Sequence, residues 1–308
     1  MGSNFNIMKK KISYIIVCCL SSLLFFLSCE KEVKIDLPYE GDKIVVNSFI
    51  MKDSLIYARL TNSSQISNRN YFPVPAGAKI DLYENDVFKE TTTVKNIYGR
   101  EYFVSSSKAI AGKKYTLKAT ATGLDNAEGS DTIPQKASFA PVEFKQTTSG
   151  NNEKAKLVIT INDPAGQKNY YRLRLYGADT NRSATGPRFI IDKYDFYYFK
   201  VDNLASNNDF DIFGDYDYRQ IYFTDDKFDG RNVSLTVNLN YFPSSISYIA
   251  PELVHLSRDS YRYLQSRDNQ FNNEDNPFTE AVVVYNNIKG GYGIVGGMAD
   301  SITVVRKQ

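Results

Sequence analysis

Short runs of alternating apolar and polar residues dominate the chain after residue 40, and polar or glycine- and proline-containing turns separate them. Runs that are rich in β-branched and aromatic residues are typical of β-strands. In the first half, the predicted strands are residues 43–51, 55–60, 79–83, 102–104 and 114–121. Short strands at such regular spacing are typical of sandwiches. Residues 41–135 are therefore predicted to form an N-terminal immunoglobulin-like or prealbumin-like β-sandwich.

The second half continues the same pattern with one interruption. Its predicted strands are residues 156–162, 169–176, 231–239, 281–285 and 301–306, and the glycines between 290 and 297 are predicted to form turns of a hairpin. Leu253, Leu256, Tyr261 and Leu264 recur at near-helical spacing after Pro251, which suits a first helical turn. We expect a helix over 251–267, with His255 on it as a packing or surface residue. Residues 136–308 thus form a second β-rich domain, and the fold class is mostly β.

The N-terminus has the pattern of a bacterial export signal. Lys9, Lys10 and Lys11 precede an apolar run over residues 12–27, and Ser28-Cys29 follows it. This order of basic, apolar and small residues predicts a signal peptide over residues 1–28, with Met8 as an alternative start. A transmembrane anchor is the alternative interpretation. The run of 16 residues is shorter than the roughly 20 that span a bilayer, which favours the signal.

The net charge and the cysteine content change when the predicted signal is removed. The formal net charge of +2 includes the three signal lysines, and residues 1–28 contain no acid, so the rest of the chain carries −1. A body without basic excess argues against nucleic-acid binding. Cys18 and Cys19 leave with the signal, so only Cys29 and His255 remain as soft ligands. This excludes a zinc site built from Cys and His, and a disulfide within the mature chain.

Cys29 has the setting of a lipid-modified cysteine. The stretch Phe26-Leu27-Ser28-Cys29 resembles the lipobox of bacterial lipoproteins, with Phe26 where Leu is usual. In that family the cysteine carries acyl chains such as palmitate and becomes the mature N-terminus, which anchors the protein in a membrane. Residues 29–40 are then a tether. Its Glu30-Lys31-Glu32 loosely resembles the surface-export signal of Bacteroidota lipoproteins, and a solvated charged tether is the simpler interpretation.

Several stretches, taken in order, resemble one family of Bacteroidota lipoproteins, that of the domain of unknown function 4249. The stretches that carry the resemblance are Cys29-Glu30 with Leu37-Pro38, 75–80, 162–164 with 169–173, 223–226 with 228–230, 261–264, 276–280 and 286–297. The resemblance covers nearly all of residues 29–308. It implies a lipid-anchored protein on the surface of the outer membrane, often encoded beside TonB-dependent transporters and their binding lipoproteins. It implies no established activity.

The same phylum glycosylates secreted proteins at Asp-Ser/Thr followed by an apolar residue or Thr. Ser54, Thr132 and Ser301 stand in such triplets and are the predicted O-glycosylation sites. Ordinary strand-edge sequence is an equally good interpretation of the three triplets.

The segment 192–222 is densely aromatic and acidic. A tyrosine offers a flat apolar face and a hydrogen-bonding tip at low entropic cost, which suits a surface that contacts a partner or a sugar. The predicted contact residues are Tyr194, Tyr197, Tyr198, Tyr216 and Tyr218. The alternative is that this strand is buried on both faces, between the sandwich and the helix.

Two acidic patterns indicate a candidate metal site and a turn. Asp209, Asp211, Asp215 and Asp217 could supply oxygen ligands to Ca²⁺, although the spacing departs from an EF-hand loop and a solvated acidic loop explains it more simply. Asp225, Asp226 and Asp229 before Gly230 predict a tight turn.

No residue set for catalysis stands out, so we expect a non-enzyme without a cofactor. The hypothesis is a surface-exposed, lipid-anchored outer-membrane protein that acts as an accessory or binding subunit of a TonB-dependent uptake system for glycans or peptides. Its expected partners are the transporter and a binding lipoprotein. The alternatives are a structural or adhesin-like lipoprotein without a small ligand, and a hydrolase that uses paired carboxylates.

Overall fold

The structure is a computed structural model that describes residues 41–64, 72–139, 143–149, 152–183, 186–210, 212, 216–239, 248–273 and 282–306. The predicted signal, Cys29 and the tether lie outside these residues. The described residues belong to one compact unit, Gly41–Gln308. They contain nineteen strands and one helix, which confirms the mostly-β fold class.

Both the strands and the helix are numbered in chain order. The strands are β1 Ile44–Met51, β2 Leu55–Asn62, β3 Lys79–Glu84, β4 Val87–Thr91, β5 Thr93–Ile97, β6 Arg100–Lys108, β7 Lys114–Thr120, β8 Ala127–Thr132, β9 Ser138–Phe139, β10 Glu143–Ser149, β11 Asn152–Asn162, β12 Tyr170–Ser183, β13 Gly186–Phe196, β14 Lys200–Val201, β15 Ile221–Thr224, β16 Asn232–Leu239, β17 Tyr248–Leu256, β18 Tyr292–Ile302 and β19 Val305–Arg306. The helix is α1, Arg258–Asn273.

The described strands form three sheets. A ten-stranded sheet runs β13-β12-β17-β18-β1-β2-β6-β5, with β15 added to β12 and β19 added to β17. A five-stranded sheet runs β10-β11-β16-β14, with β9 added to β11, and a four-stranded sheet runs β4-β3-β7-β8. Strands from both sides of residue 135 therefore pair within the largest sheet. A division into domains at that residue stays a prediction.

Alternation along the strands divides the buried apolar residues into two main clusters. In β1, Ile44, Val46 and Ile50 are fully buried, and they pack with Ile80 of β3 and Leu117 of β7. The second cluster combines β11 and β16 with one face of β12, whose members there are Tyr171, Leu173 and Leu175. Each end of the large sheet is thus covered by one of the smaller sheets, which buries one face of each.

Of the glycines predicted to form turns, Gly290 and Gly291 lie in a turn, whereas Gly293, Gly296 and Gly297 lie in a strand. β18 contains Gly296 and Gly297 and pairs in parallel with β1, from Val45 opposite Tyr292 to Met51 opposite Met298. A Cβ on Gly297 would lie 2.5 Å from the carbonyl oxygen of Thr132. The glycines are therefore needed for close packing of β18 against β8. The predicted strand at 281–285 is also wrong, because residues 282–288 are not in a strand.

The predicted helix exists, but its first turns were placed wrongly. Pro251–Leu256 belongs to β17, which pairs with β12 on one side and β18 on the other. A strand that is buried on both faces is continuously apolar, and such a run cannot be told from a buried helix by its periodicity. The helix begins after Ser257, whose Oγ accepts a hydrogen bond from the Ser260 N–H at 3.0 Å as an N-cap. Among the described residues, no helix has the length and apolar character needed to cross a membrane.

His255 therefore lies on β17 and not on the helix. Its side chain is buried, and Nδ1 is 2.8 Å from the carbonyl oxygen of Gln135. Burial lowers the pKa of His255 below its ordinary value. The residue is a satisfied core histidine.

A buried carboxylate joins β8, β18 and the start of α1. Asp131 accepts a hydrogen bond from the N–H of Gly297 at 2.8 Å and another from the Ser257 hydroxyl. Burial raises the pKa of Asp131 to about 6, against the effect of these donors. The carboxylate therefore contributes a pH-dependent term to stability at the junction of three elements.

Replacing Gly297 with alanine should destabilise the fold strongly, because the new Cβ would meet the backbone of Thr132 and Ile133. We expect G297A to lower the free energy of unfolding by about 3 kcal/mol or more. In the matched variant G129A the nearest atoms to the new Cβ belong to the buried side chains of Ile288 and Val295 rather than to backbone, so the loss should be smaller, about 1–2 kcal/mol. Urea denaturation measures both, and an equal loss in the two variants would contradict this account of β18.

Replacing Asp131 with asparagine should remove part of the pH dependence of stability. Because the pKa of Asp131 is about 6 in the folded chain and its ordinary value is 3.8, the stability that Asp131 contributes is fully present below pH 4. It is lost as the pH rises through 6, by about 3 kcal/mol. Between pH 4 and 7, the free energy of unfolding should therefore fall less in D131N than in the wild type. The exposed variant D86N should keep the wild-type profile, and a D131N profile parallel to the wild type would refute the assignment.

Candidate functional site

Two groups of polar side chains stand out in the described structure. The first is a cluster of three carboxylates, Asp163, Asp225 and Asp229, each of which offers an oxygen within 4.8 Å of the others. Asp163 follows β11, while Asp225 and Asp229 lie between β15 and β16. The predicted tight turn at 225–229 is present, but sequence reasoning did not connect it to Asp163. The pairing of β12 with β15 brings these distant stretches together.

The carboxylate oxygens of this cluster are already engaged by donors from neighbouring loops. Asp163 accepts bonds from the Tyr171 hydroxyl at 2.6 Å and the Gly230 N–H at 2.9 Å. Asp225 accepts bonds from the Asn169 N–H at 2.9 Å and from its Nδ2 at 3.0 Å. Asp229 accepts one from the Gly166 N–H at 2.8 Å. Three carboxylates are suitable Ca²⁺ ligands, but these bonds show that the cluster fixes loop to loop.

Burial explains the titration behaviour of this cluster. It raises the pKa of Asp225 above its ordinary value, with the carboxylate of Asp163 adding to the effect. Burial and the hydrogen bond to Asp163 also raise the pKa of the Tyr171 phenol. The phenol therefore stays protonated and donates to Asp163 throughout the accessible pH range.

The second group lines a cleft of about 620 Å³ beside the last turns of α1. Its described lining combines arginines, aspartates, amides and aromatic rings. The lining residues are Arg174, Tyr198, Asp217, Tyr218, Arg219, Gln220, Arg267, Asp268, Phe271 and Asn272. We call this feature the arginine cleft.

The alternation of β12 places one wall of the arginine cleft. Tyr171, Leu173 and Leu175 point into the core, so the intervening positions, which include Arg172 and Arg174, lie on the opposite face of the sheet. Helix α1 packs on this opposite face, where the ring of Tyr261 is 5.0 Å from that of Tyr170. Arg174 therefore emerges at the edge of the helix–sheet interface, next to the cleft.

A buried ion pair lies behind that wall. The Arg172 guanidinium is 3.3 Å from Glu252, and the Tyr176 hydroxyl donates to the same carboxylate at 3.0 Å. Burial lowers the pKa of Arg172 below its ordinary value. Removing either charge would leave the other one buried and uncompensated, which is strongly destabilising.

Hydrogen bonds hold the floor of the arginine cleft in one arrangement. Arg174 Nε donates to Gln220 at 2.6 Å, and Gln220 in turn donates to Asp268. The Tyr222 hydroxyl donates to Asp268 at 2.9 Å, and Arg267 pairs with Asp268 at 2.6 Å. The floor is therefore organised before any ligand arrives.

Arg219 differs from the other charged groups in the lining. Its guanidinium carbon lies 4.0 Å from the centre of the Phe196 ring, which is a cation–π contact. Arg174 approaches the same ring at 5.6 Å. Within the described part of the chain, neither Arg219 nor Arg174 is paired with a carboxylate. Three arginines and two aspartates line the cleft, so its described lining carries a formal charge of +1.

The five tyrosines predicted as contact residues lie in different environments. Tyr198 and Tyr218 line the arginine cleft, with Tyr198 58% exposed. Tyr216 is 67% exposed, and its ring packs edge-on against Tyr218 at 6.2 Å. Tyr197 is only 7% exposed and belongs to the main core, so its proposed role as a contact residue is wrong. The side chain of Tyr194 lies outside the described residues.

The arginines of the cleft were missed by sequence reasoning. Arg174 and Arg267 are far apart in the chain, and Arg219 follows the tyrosines that attracted attention. The usable signal was the alternation in 169–176, which places Arg172 and Arg174 on the face away from the core.

The calcium hypothesis stays a prediction. Asp209 pairs with Arg231 at 3.0 Å, and Asp217 lines the arginine cleft. Asp211 and Asp215 lie outside the described residues.

The three predicted glycosylation sites differ in their accessibility in the structure. Ser301 is buried in β18, and its hydroxyl donates to the carbonyl oxygen of Ala137. It is therefore inaccessible in the folded chain, and its prediction as an acceptor is wrong. Ser54 is half-buried in a turn and Thr132 is exposed at the end of β8, and both stay predictions.

A family model described as a domain of unknown function (DUF4249) matches residues 30–302. A search of curated proteins gives no match. Among solved structures, a membrane-anchored protein from Corynebacterium diphtheriae aligns at 10% identity and a TM-score of 0.22. The alignment covers 71% of this chain and 55% of that protein, so this chain spans just over half of its length.

Two further solved structures show similarly distant likeness. The collagen-binding domain of the surface protein RspB from Erysipelothrix rhusiopathiae aligns at 11% identity and a TM-score of 0.21, over 86% of this chain and 96% of that one. A chain from the structure of Gaeumannomyces graminis manganese lipoxygenase with part of Komagataella pastoris zonadhesin aligns at 8% identity and a TM-score of 0.19. That alignment covers 71% of this chain and 90% of the other. Likeness at this level carries no functional argument.

Replacing Asn169 with leucine tests the role of the carboxylate cluster. The variant leaves Asp163 and Asp225 buried without the amide that bridges them, at a position that is 1% exposed. We expect the free energy of unfolding to fall by about 2–4 kcal/mol, as measured by chemical denaturation. The exposed variant N96L should change it by less than about 1 kcal/mol.

The alternative role of the cluster gives a different result. Unchanged stability in N169L, together with a rise in the wild-type Tm on adding Ca²⁺, would assign these carboxylates to cation binding.

Proposed function

The chain belongs to the family of the domain of unknown function DUF4249, and from that premise we propose that it is a surface-exposed lipoprotein of the outer membrane. In this role it is a non-enzymatic accessory subunit of a TonB-dependent uptake system and binds a nutrient ligand. Its partners are the transporter and a binding lipoprotein.

The N-terminal sequence supports the membrane location. The basic, apolar and small residues of 1–28 match an export signal, and Cys29 stands where a lipoprotein cysteine is acylated. Several acyl chains on one cysteine make membrane attachment effectively permanent. A tether over residues 29–40 then separates the lipid from the described β-structure.

The arginine cleft is the observation that carries the binding role. Its volume of about 620 Å³ lies within the range of roughly 300–1,000 Å³ that is typical of small-ligand sites. Aromatic faces and fixed polar groups converge in it, and the hydrogen-bonded floor is organised in advance. Such preorganisation lowers the entropic cost of binding.

The described acids support binding over hydrolysis. Asp268 in the cleft is held by Arg267 and Tyr222, and the described carboxylates around Asp163 accept hydrogen bonds from the Tyr171 hydroxyl and from loop amides. A carboxylate-pair hydrolase needs one acid free to protonate a leaving group and another free to act on the substrate.

Fractionation and co-purification test the proposal. Wild-type protein labelled with a palmitate analogue should enter the outer-membrane fraction and, after solubilisation in detergent, bring down a TonB-dependent transporter. C29S should lose the label and leave the membrane, because the acylated thiol is gone. C18S is the matched control and should behave like the wild type, since Cys18 is removed with the signal.

Each contrary result is specific. A C29S protein that stays in the membrane with its label overturns the lipid anchor. An anchored wild-type protein that brings down neither transporter nor binding lipoprotein overturns the uptake role and favours the structural or adhesin-like alternative.

A further inference from the structure

We propose that the arginine cleft binds an acidic oligosaccharide, with a carboxylate of the ligand on Arg219 and Arg174 and a sugar ring against Tyr198. This inference rests on the proposed role as a ligand-binding subunit and assigns the ligand class of the same site.

The positive charge of the cleft is concentrated on two side chains. Among the lining residues, Arg267 is paired with Asp268, and Asp217 has an interaction partner of its own. Arg174 donates from Nε to the neutral Gln220 and from a terminal nitrogen to the Tyr176 hydroxyl at 3.5 Å. Among the described residues, the contact shown for Arg219 is the one with the Phe196 ring. Arg174 and Arg219 thus have no carboxylate within ion-pair distance among the described residues, and the described lining as a whole carries a formal charge of +1 that an anion from outside can complement.

Phe196 positions these two charges. Its ring centre lies 4.0 Å from the guanidinium carbon of Arg219 and 5.6 Å from that of Arg174. Stacking on a ring fixes the plane of a guanidinium and leaves its N–H edge free to donate. Planar N–H edges match the two oxygens of a carboxylate, and charge-assisted bonds of this type are about twice as strong as neutral ones.

Exposed aromatic faces lie in the same cleft. Tyr198 is 58% exposed and Phe271 is 75% exposed, and both rings line the cleft with the half-buried Tyr218. Rigid aromatic rings offer a large apolar contact at low entropic cost, and a tyrosine adds a hydroxyl at its edge. The apolar face of a pyranose ring and its surrounding hydroxyls suit that combination.

A peptide is the competing ligand for this cleft, and the strand edges show where it could add. Extended peptides gain much of their affinity by adding to a free strand edge. In the described part of the chain, β12 is paired with β17 on one side and with β15 and β13 on the other. β12 itself therefore offers no free edge, whereas β13 and β15 each have one side without a described partner strand, so a peptide probe is included in the test as the competing ligand.

Titration calorimetry with defined probes tests the ligand class. The acidic probes are trigalacturonate, trimannuronate and a hyaluronan tetrasaccharide, the neutral probe is maltotriose, and the peptide probe is triglutamate. At least one acidic saccharide should bind, and its affinity should fall as the salt concentration rises, because charge pairing contributes. Maltotriose and triglutamate should bind at least tenfold more weakly.

Variants locate the binding within the protein. R219Q removes an exposed charge and should lower the affinity for the acidic saccharide at least tenfold. Y198A should lower this affinity without changing its dependence on salt. The matched control is R262Q: Arg262 is also stacked on an aromatic ring, 4.1 Å from the centre of Tyr285, but lines a different groove. R262Q should bind like the wild type. Unfolding temperatures near that of the wild type verify that the variants are folded.

Several outcomes would overturn the inference. Failure of all three acidic saccharides to bind, equal binding of maltotriose, tighter binding of triglutamate, or equal losses in R219Q and R262Q would each do so. If no acidic saccharide binds but the transporter co-purifies, this inference fails and the proposed function stands. If an acidic saccharide binds through Arg219 and no transporter co-purifies, the uptake role fails and the ligand class stands.

Discussion

The parallel pairing of β1 with β18 is the constraint on which the rest of the structure depends. It joins the first and the last long strands of the described chain, and every other strand of the large sheet is attached through one of these two. Such a contact closes a loop of more than 200 residues, and it must recover that entropy through packing. Gly296 and Gly297 make this packing possible, since side chains there would collide with α1 and β8.

This constraint also determines where the arginine cleft forms. β18 pairs with β17, and the chain leaves β17 at Leu256 to enter α1 through the N-cap Ser257. Asp131 of β8 binds both Ser257 and Gly297, so it fixes the start of the helix to the glycine-rich strand. The direction of α1 then brings Arg267 and Asp268 beside Arg174 of β12.

Local pattern predicted the strands well and the long-range contacts poorly. The strand predicted at 114–121 is observed as Lys114–Thr120, and the one at 231–239 as Asn232–Leu239, because alternation reports a half-buried strand directly. The first turns of the predicted helix and the predicted turn at Gly296-Gly297 failed because both segments are buried strands, whose partners lie far away in the sequence. Aromatic density found Tyr198 and Tyr218, but the arginines that complete the cleft meet them only through the fold.

The two polar clusters show why residue type alone does not locate a binding site. The carboxylates of Asp163, Asp225 and Asp229 each accept a hydrogen bond from a backbone amide of an adjacent loop and hold these loops together. The guanidinium groups of Arg174 and Arg219 rest on a ring and keep donors for a ligand. The body outside the signal carries a formal charge of −1, so a local excess of cations stands out against it. A cationic cleft in a near-neutral surface focuses anions on one place and orients them as they approach.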